Sequence, residues 1–232
     1  MVFLIPSYIA DDAKETIPAY ILDAVMQCQV FFVENERTAR RFLKSIWKEM
    51  VIDAYEWHSI HKVEEQERQT FIAACKADKN IGIISEAGCP GVADPGQILV
   101  QAAQQLGFPV KPLVGPSSIL LALMASGLNG QQFQFIGYLP IDHFERAERI
   151  KFLEAESKKK NCTQIFIETP YRNDVLLGAL LESCAERTHL CVATDLSLGS
   201  EEIKTQSIAQ WRRARPAIGK RPTVFLLLSV NR

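Results

Sequence analysis

The segment Ile81–Gly96 constrains this chain more tightly than any other. It reads Ile-Gly-Ile-Ile-Ser-Glu-Ala-Gly-Cys-Pro-Gly-Val-Ala-Asp-Pro-Gly. An apolar, β-branched run stops at the polar Ser85. Gly88, Pro90, Gly91, Pro95 and Gly96 then crowd the positions before a helical pattern resumes at Gln97. Glycine supplies backbone conformations closed to other residues and lets the main chain approach a ligand, while proline presets a turn. A buried strand that ends this way marks a ligand loop, because open α/β sheets bind ligands beyond the carboxyl ends of their strands.

The rest of the first half repeats the alternation that such a sheet needs. Apolar runs predict strands at Val2–Ile5, Val30–Val33, Val51–Tyr55, Ile81–Ile84 and Val110–Val114. Helical patterns over Ile17–Met26, Thr38–Trp47, Val63–Ala77 and Gln97–Leu106 separate them, with Glu64, Glu65 and Glu67 near the start of the third, where the helix dipole favours acids. Strands alternating with helices imply a largely parallel sheet covered on both faces. After Val114 the connections lengthen. Helices are expected over Ile119–Ala125, Glu145–Ser157, Asp174–Cys184 and Ile208–Arg213, and strands at Phe133–Leu139, Thr163–Glu168, Leu190–Thr194 and Val224–Val230. That half reads as a mixed sheet with an antiparallel strand or two. Two α/β domains follow, 1–114 and 115–232.

At 232 residues and net charge −1 the chain has ample core and no overall basic footprint of a dedicated nucleic-acid binder, although residues 1–114 lean acidic and 115–232 lean basic. Lys158–Lys160 reads as a solvated helix end. Cys28, Cys75, Cys89, Cys162, Cys184 and Cys191 form no Cys-x-x-Cys pair, and most lie in apolar patterns. Free thiols in a reducing compartment are expected rather than disulfides or structural zinc. His58 and His61 are the closest approach to a metal pair, and no metal site is expected. Met1–Ile5 is too short for a signal peptide and no apolar run nears the ~20 residues of a membrane span, so the expectation is a cytoplasmic enzyme.

The dinucleotide fingerprint, the phosphate-cradling loop, the nucleophile elbow and the zinc-protease motif are all missing from the sequence. What remains are two turns at strand ends, Glu86–Gly96 and Gly115–Ser118. Gly88 and Gly91 would admit a ligand, and Ser117 and Ser118 would offer hydroxyls. The competing reading is structural: tight connections at Gly96 and Gly115, and Ser117 as a helix cap. Local chemistry leaves both open.

A family resemblance separates them. Residues 85–96 resemble the Ser-Asp-Ala-Gly-Thr-Pro-Leu-Ile-Ser-Asp-Pro-Gly signature of the tetrapyrrole methylase superfamily, nearest its bacterial small-subunit ribosomal RNA cytidine 2′-O-methyltransferases. In order follow Gly115-Pro116-Ser117-Ser118 for Gly-Pro-Ser-Ala, then Ala125-Ser126-Gly127-Leu128. Phe135-Ile136-Gly137-Tyr138-Leu139-Pro140 resembles Phe-x-Gly-Phe-Leu-Pro, and Ile165-Phe166-Ile167-Glu168 with Arg172 resembles Phe-Tyr-Glu-Ser-x-His-Arg. The resemblance implies a class III methyltransferase of two α/β domains, usually a homodimer, with S-adenosylmethionine in a cleft between the domains. Carried over position by position, the donor shell comprises Tyr8, Ala87, Gly88, Cys89, Val92, Ser117, Ser118, Glu168, Leu196, Pro222 and Thr223.

Methyl transfer from a sulfonium depends mainly on alignment, and a hydroxyl acceptor gains from a nearby carboxylate. Glu34, Glu86, Asp94 and Glu168 are the candidate carboxylates, with Glu168 the preferred catalytic one. Each has a structural alternative as a cap or ion pair. The sequence also departs from the pattern it resembles. Pro6-Ser7-Tyr8-Ile9-Ala10-Asp11 replaces Pro-Thr-Pro-Ile-Gly-Asn-Leu, and Glu34-Asn35-Glu36-Arg37 replaces Glu-Asp-Thr-Arg. Ala193-Thr194-Asp195-Leu196-Ser197-Leu198 replaces Ala-Arg-Glu-Leu-Thr-Lys, and Gly219-Lys220-Arg221 replaces Lys-Gly-Glu. Three functions are carried forward. The leading one is 2′-O-methylation of ribosomal RNA, with the small ribosomal subunit as partner and Arg212, Arg213, Arg215, Lys220 and Arg221 beside Trp211 as a phosphate-contacting segment; a solvated turn is the alternative for that segment. The others are methylation of a small molecule such as a tetrapyrrole, and a donor-binding homologue without turnover, motivated by Tyr8 and the lost glycine.

Overall fold

The computed structural model describes residues 1–11, 13–60 and 65–229. They form two compact units, Met1–Ser117 and a second that begins at Ser118.

The first unit holds a five-stranded sheet of β1 (Val2–Ile5), β2 (Val30–Val33), β3 (Glu56–Ser59), β4 (Ile81–Ile84) and β5 (Val110–Pro112), ordered β3-β2-β4-β1-β5. Every pairing is parallel. Alternate residues of one strand enter opposite cores, as the strand period requires. Phe31 and Val33 join Phe3, Ile5 and Ile84 under α1 (Ile21–Gln27) and α2 (Glu36–Ile46). Val30 and Phe32 join Val2, Ile81 and Ile83 under α3 (Glu65–Lys76) and α4 (Gln97–Gln105). Gly82 is required where β4 passes Phe31, because a Cβ there would lie 2.6 Å from the ring.

One strand differs from expectation. Val51–Tyr55 is not a strand: Ile52–Ala54 forms a 3-10 turn, Val51 is exposed, and the strand is Glu56–Ser59. This is an edge strand, half-exposed, so it carries Glu-Trp-His-Ser rather than an apolar run. It is held by Trp57 stacked on Phe31 and His58 stacked on Phe32, at centroid distances of 4.9 and 4.8 Å. His61, and Val63 and Glu64 at the start of the third expected helix, lie outside the described residues, as does Val230 of the last expected strand.

The second unit opens with α5 (Ser118–Ser126) and builds a sheet from β6 (Phe133–Tyr138), β7 (Thr163–Ile167), β8 (His189–Thr194), β9 (Glu202–Ser207) and β10 (Thr223–Leu228), ordered β6-β7-β10-β8-β9. β6 and β7 are parallel and the other three pairings antiparallel. Leucines of α7 (Asn173–Ser183), Ile150 and Leu153 of α6 (His143–Lys160), and Trp211 of α8 (Ile208–Arg213) pack on Phe166, Leu190, Val192 and Phe225. The lysines at 158–160 end α6 in solvent, and Asn161 closes the helix in the left-handed region. All six cysteines are free thiols, and all but Cys89 are buried. No helix among the described residues is long and apolar enough to cross a membrane.

Candidate functional site

Because the first sheet is parallel, the segments following β1, β2, β4 and β5 leave it at one edge. They are tied to one another there. Ser7 and Gly88 exchange backbone hydrogen bonds of 3.0 and 3.2 Å, and Ser7 Oγ donates to the Ser85 carbonyl at 3.2 Å. The Glu86 N–H donates to Glu34 Oε2 at 2.8 Å. Gly88 sits at φ +77°, and a Cβ added there would press on the Pro116 carbonyl at 3.3 Å. The Cys89 thiol donates to the carbonyls of Pro116 and Gly115 at 3.4 and 3.6 Å. Burial pushes that thiol's pKa up, so it remains a donor, as the threonine hydroxyl of the resembling pattern would be.

Asp94 organises the far side of the glycine loop. Its carboxylate accepts from the Gly91 N–H at 2.9 Å and from the Gly96 N–H at 2.8 Å. Burial pushes its pKa up, with the Glu34 charge adding, while the two glycine N–H groups and the Ser85 hydroxyl oppose. Its work is to close a turn.

Ala87, Gly88 and Cys89 therefore stand beside the segments that carry Tyr8 and Ser117. Val92 projects outward and is 52% exposed. The Tyr8 ring packs edge-on against Phe42 of α2 with centroids 5.3 Å apart, which accounts for its bulk. Asn35, the replacement for the resembling aspartate, caps α2 by accepting from the Arg37 and Thr38 N–H groups at 3.1 and 3.3 Å. Its amide also donates to Glu86 at 3.5 Å, which an aspartate could not do. The Ser117 and Ser118 hydroxyls have no hydrogen-bond partner among the described residues, and Ser118 is the first residue of α5.

In the second unit, antiparallel register brings the remaining residues to one end of the sheet. Ile167 lies opposite Val224, and Thr194 opposite Thr223, so Glu168, Leu196, Pro222 and Thr223 leave the same edge. Glu168 is buried: Oε1 accepts from the Thr169 N–H at 2.7 Å, and Oε2 pairs with Arg172 at 2.6 Å. At the start of α7, Asp174 accepts from the N–H groups of Ile218 and Gly219 at 2.8 and 3.0 Å. Buried Asn173 donates to the Arg221 carbonyl at 2.7 Å, and its Oδ1 finds no partner among the described residues. Leu196 is buried between Asp195 and Ser197.

The expected basic segment lies at the surface, but three of its arginines are bonded within the protein. Trp211 is buried and donates to the Leu190 carbonyl at 2.8 Å. Arg212 donates to the Leu181 and Cys184 carbonyls, closing the end of α7. Arg215 donates to the Asp174 carbonyl, and Arg221 pairs with Asp195, which with Glu202 holds the guanidinium's pKa above its ordinary value. Lys220 stands over the Tyr171 ring, 4.8 Å from its centroid. Residue type and spacing could not reveal that these arginines face carbonyls. Nor did they reveal the Asp195–Arg221 pair, whose only trace in sequence was two departures read separately.

At the loop, Gly88 leaves no room for a Cβ without pressing on the Pro116 carbonyl, Gly91 faces open space, and the Ser117 and Ser118 hydroxyls lack partners among the described residues; a ligand such as a methyl donor could use that space and those hydroxyls. The family model for tetrapyrrole (corrin/porphyrin) methylases matches residues 13–211. The Ribosomal RNA small subunit methyltransferase I of Mesorhizobium japonicum is 31% identical over 206 residues, covering 89% of this chain and 67% of its own length. The crystal structure of the methyltransferase CobJ superposes with a TM-score of 0.65 at 16% identity, covering 98% of this chain and 93% of its own. Uroporphyrin-III C-methyl transferase from Thermus thermophilus, solved with S-adenyl homocysteine, gives 0.57 at 15% identity over 98% and 96%. The chain belongs to the tetrapyrrole (corrin/porphyrin) methylases and is a methyltransferase that takes its methyl group from S-adenosylmethionine.

Proposed function

We propose that the acceptor is a ribosomal RNA 2′-hydroxyl of the small subunit. The carrying observation is the likeness, over 89% of this chain, to a relative named for small-subunit ribosomal RNA. Tyr8, Ala87, Gly88, Cys89, Val92 and Ser117 of the first unit, and Ser118, Glu168, Leu196, Pro222 and Thr223 of the second, are the proposed donor contacts. The donor supplies an activated methyl group on a sulfonium. The protein's task is then to align it, which alone supplies several kcal/mol. Glu168 is the proposed catalytic carboxylate. Each of its oxygens uses one lone pair, on Thr169 or Arg172, and keeps another for an acceptor hydroxyl.

Tyr171 and Lys220 support an RNA acceptor. Tyr171 is 77% exposed, three residues after Glu168, with the Lys220 ammonium over its ring. Such a pair suits a stacked base with its phosphate. With Arg212, Arg215 and Arg221 engaged internally, Lys220 and Arg213 are the members of the basic segment left to meet phosphates. A tetrapyrrole acceptor is supported by the family model and by fold likeness at 16% identity and below, whereas the relatives alike in sequence are named for ribosomal RNA. Of the two motives for the non-catalytic reading, the bulk of Tyr8 is accounted for by its packing on Phe42, and the lost glycine stands. A homodimer acting in the cytoplasm completes the proposal, with light scattering as the check on its mass.

The test uses labelled S-adenosylmethionine and small ribosomal subunits from a strain lacking the modification. Label in RNA, at a linkage resistant to alkaline cleavage, is expected. Label in a tetrapyrrole preparation and none in RNA would overturn the assignment.

A further inference from the structure

The loop after β8 is held in a conformation its own residues do not favour. Asp195 at φ 51° and Ser197 at φ 72° both occupy the left-handed region, on either side of buried Leu196. Non-glycine residues persist there only when their surroundings over-determine them. Here the surroundings are built around Arg221. Its Nε donates to Asp195 Oδ2 at 2.7 Å, its Nη2 to the Ser200 carbonyl at 2.7 Å, and its Nη1 to Glu202 Oε2 at 3.2 Å. Ser200 Oγ donates to the same Asp195 oxygen at 2.9 Å, and the Asp195 N–H donates to the Pro222 carbonyl at 2.9 Å. The Asp195 side chain is 9% exposed, so removing its partner would leave a nearly buried charge unpaired.

Two departures from the resembling pattern become one here. An acid is kept at 195, the bases at 194 and 198 are gone, and an arginine appears at 221 where the pattern has a glutamate. In this chain the cation that meets the acid comes from position 221. Its geometry bears on Leu196, Pro222 and Thr223, the residues adjoining its two ends.

We infer that Arg221 is a positioning residue for methyl-donor binding, acting through Asp195 to set the loop at Leu196 and the segment at Pro222–Thr223. The inference rests on the proposed donor contacts at those residues. Neither Asp195 nor Arg221 is itself one of them.

The test is calorimetric titration of S-adenosylmethionine into the full chain and its Arg221→Ala, Arg221→Lys, Asp195→Asn, Glu202→Gln and Leu196→Ala variants. It is run where circular dichroism shows each to be folded, with the donor KM and kcat measured alongside. Displacing a contact by about 1 Å weakens a positioned interaction by an order of magnitude or more, so Arg221→Ala should raise the donor Kd and KM at least about tenfold. Arg221→Lys, which keeps the charge but not the fork, should fall between. Asp195→Asn should match Arg221→Ala and combine with it non-additively, whereas Glu202→Gln, at the solvent edge, should stay within about twofold. Leu196→Ala separates the two levels of the inference. If it leaves the Kd unchanged, the donor contact at Leu196 fails and the positioning role fails with it. If it weakens binding while Arg221→Ala lowers only the melting temperature, the contact stands and Arg221 is merely structural. Absence of donor binding by the unaltered chain at millimolar ligand would overturn both.

Discussion

Gly115→Ala is the sharpest perturbation of the first unit. A Cβ built on Gly115 lies 2.1 Å from Pro6 Cβ and 2.4 Å from Pro6 Cγ, whereas ordinary contact begins at 3.4 Å. One of the two segments must therefore move by more than an ångström. Pro6 has little room, because it is buried and follows β1, and the next residue, Ser7, is bonded to Gly88 and Ser85. Overpacking typically costs about 1–3 kcal/mol. The rigid ring and the bonded neighbour place this case at the upper end, about 3 kcal/mol. With a urea slope of about 1–3 kcal/mol per molar, the denaturation midpoint should fall by about 1 M or more. Donor affinity should fall with it, since displacement of Pro6 is passed to the Ser7–Gly88 bridge. Gly130→Ala is the control: nothing lies within 4 Å of its Cβ and its φ is not positive, so stability should be unchanged or slightly raised. A Gly115→Ala protein with the midpoint and donor titration of the unaltered chain would refute the claim that this contact sets the loop.

Other expectations follow from single contacts. Asn35→Ala removes the cap of α2 and should cost about 1 kcal/mol in urea denaturation, with Asn35→Asp restoring most of it. Glu168→Gln should lower kcat more than it raises the donor KM, because it alters a carboxylate rather than the shape of the pocket; an unchanged kcat in the methylation assay would remove Glu168 from catalysis. Tyr171→Ala should raise the KM for ribosomal subunits and leave the donor Kd as it was, and the reverse pattern would place Tyr171 elsewhere. Asp94 has a raised folded pKa, so it binds more protons in the native than in the unfolded state between its ordinary value and the raised one. Stability therefore falls as pH rises through that window. Comparing urea midpoints of the unaltered chain and Asp94→Asn from pH 3 to 7 should show this loss only in the former.

The architecture was legible because burial leaves a local trace. Strands covered on both faces must be apolar throughout, and Ile81–Ile84, Val30–Val33 and Thr223–Leu228 are buried at every residue. Edge strands escape that requirement. β3 was placed five residues early, and β9, reading Glu-Ile-Lys-Thr-Gln-Ser, gave no apolar run to find. The glycine loop was legible for a backbone reason: Gly88 and Gly91 do adopt positive φ, which few other residues tolerate.

Charged side chains behaved differently. Five basic residues near the carboxyl end looked alike in sequence. Folding sent Arg212 to the carbonyls ending α7, Arg215 to α7's first turn, Arg221 to Asp195 and Lys220 to the face of Tyr171. By itself the sequence determined the two α/β sheets and the turn chemistry of Ile81–Gly96, which depend on hydrophobic period and on which residues can adopt which φ, and both are local. The methyltransferase family was legible through the resemblance of its ordered motif blocks. Only the tertiary structure decided which ions pair and which carboxylate merely closes a turn. A hydrogen bond needs its partners within about 3 Å, and those partners stand 26 positions apart in the Asp195–Arg221 case and 52 in the Glu34–Glu86 case.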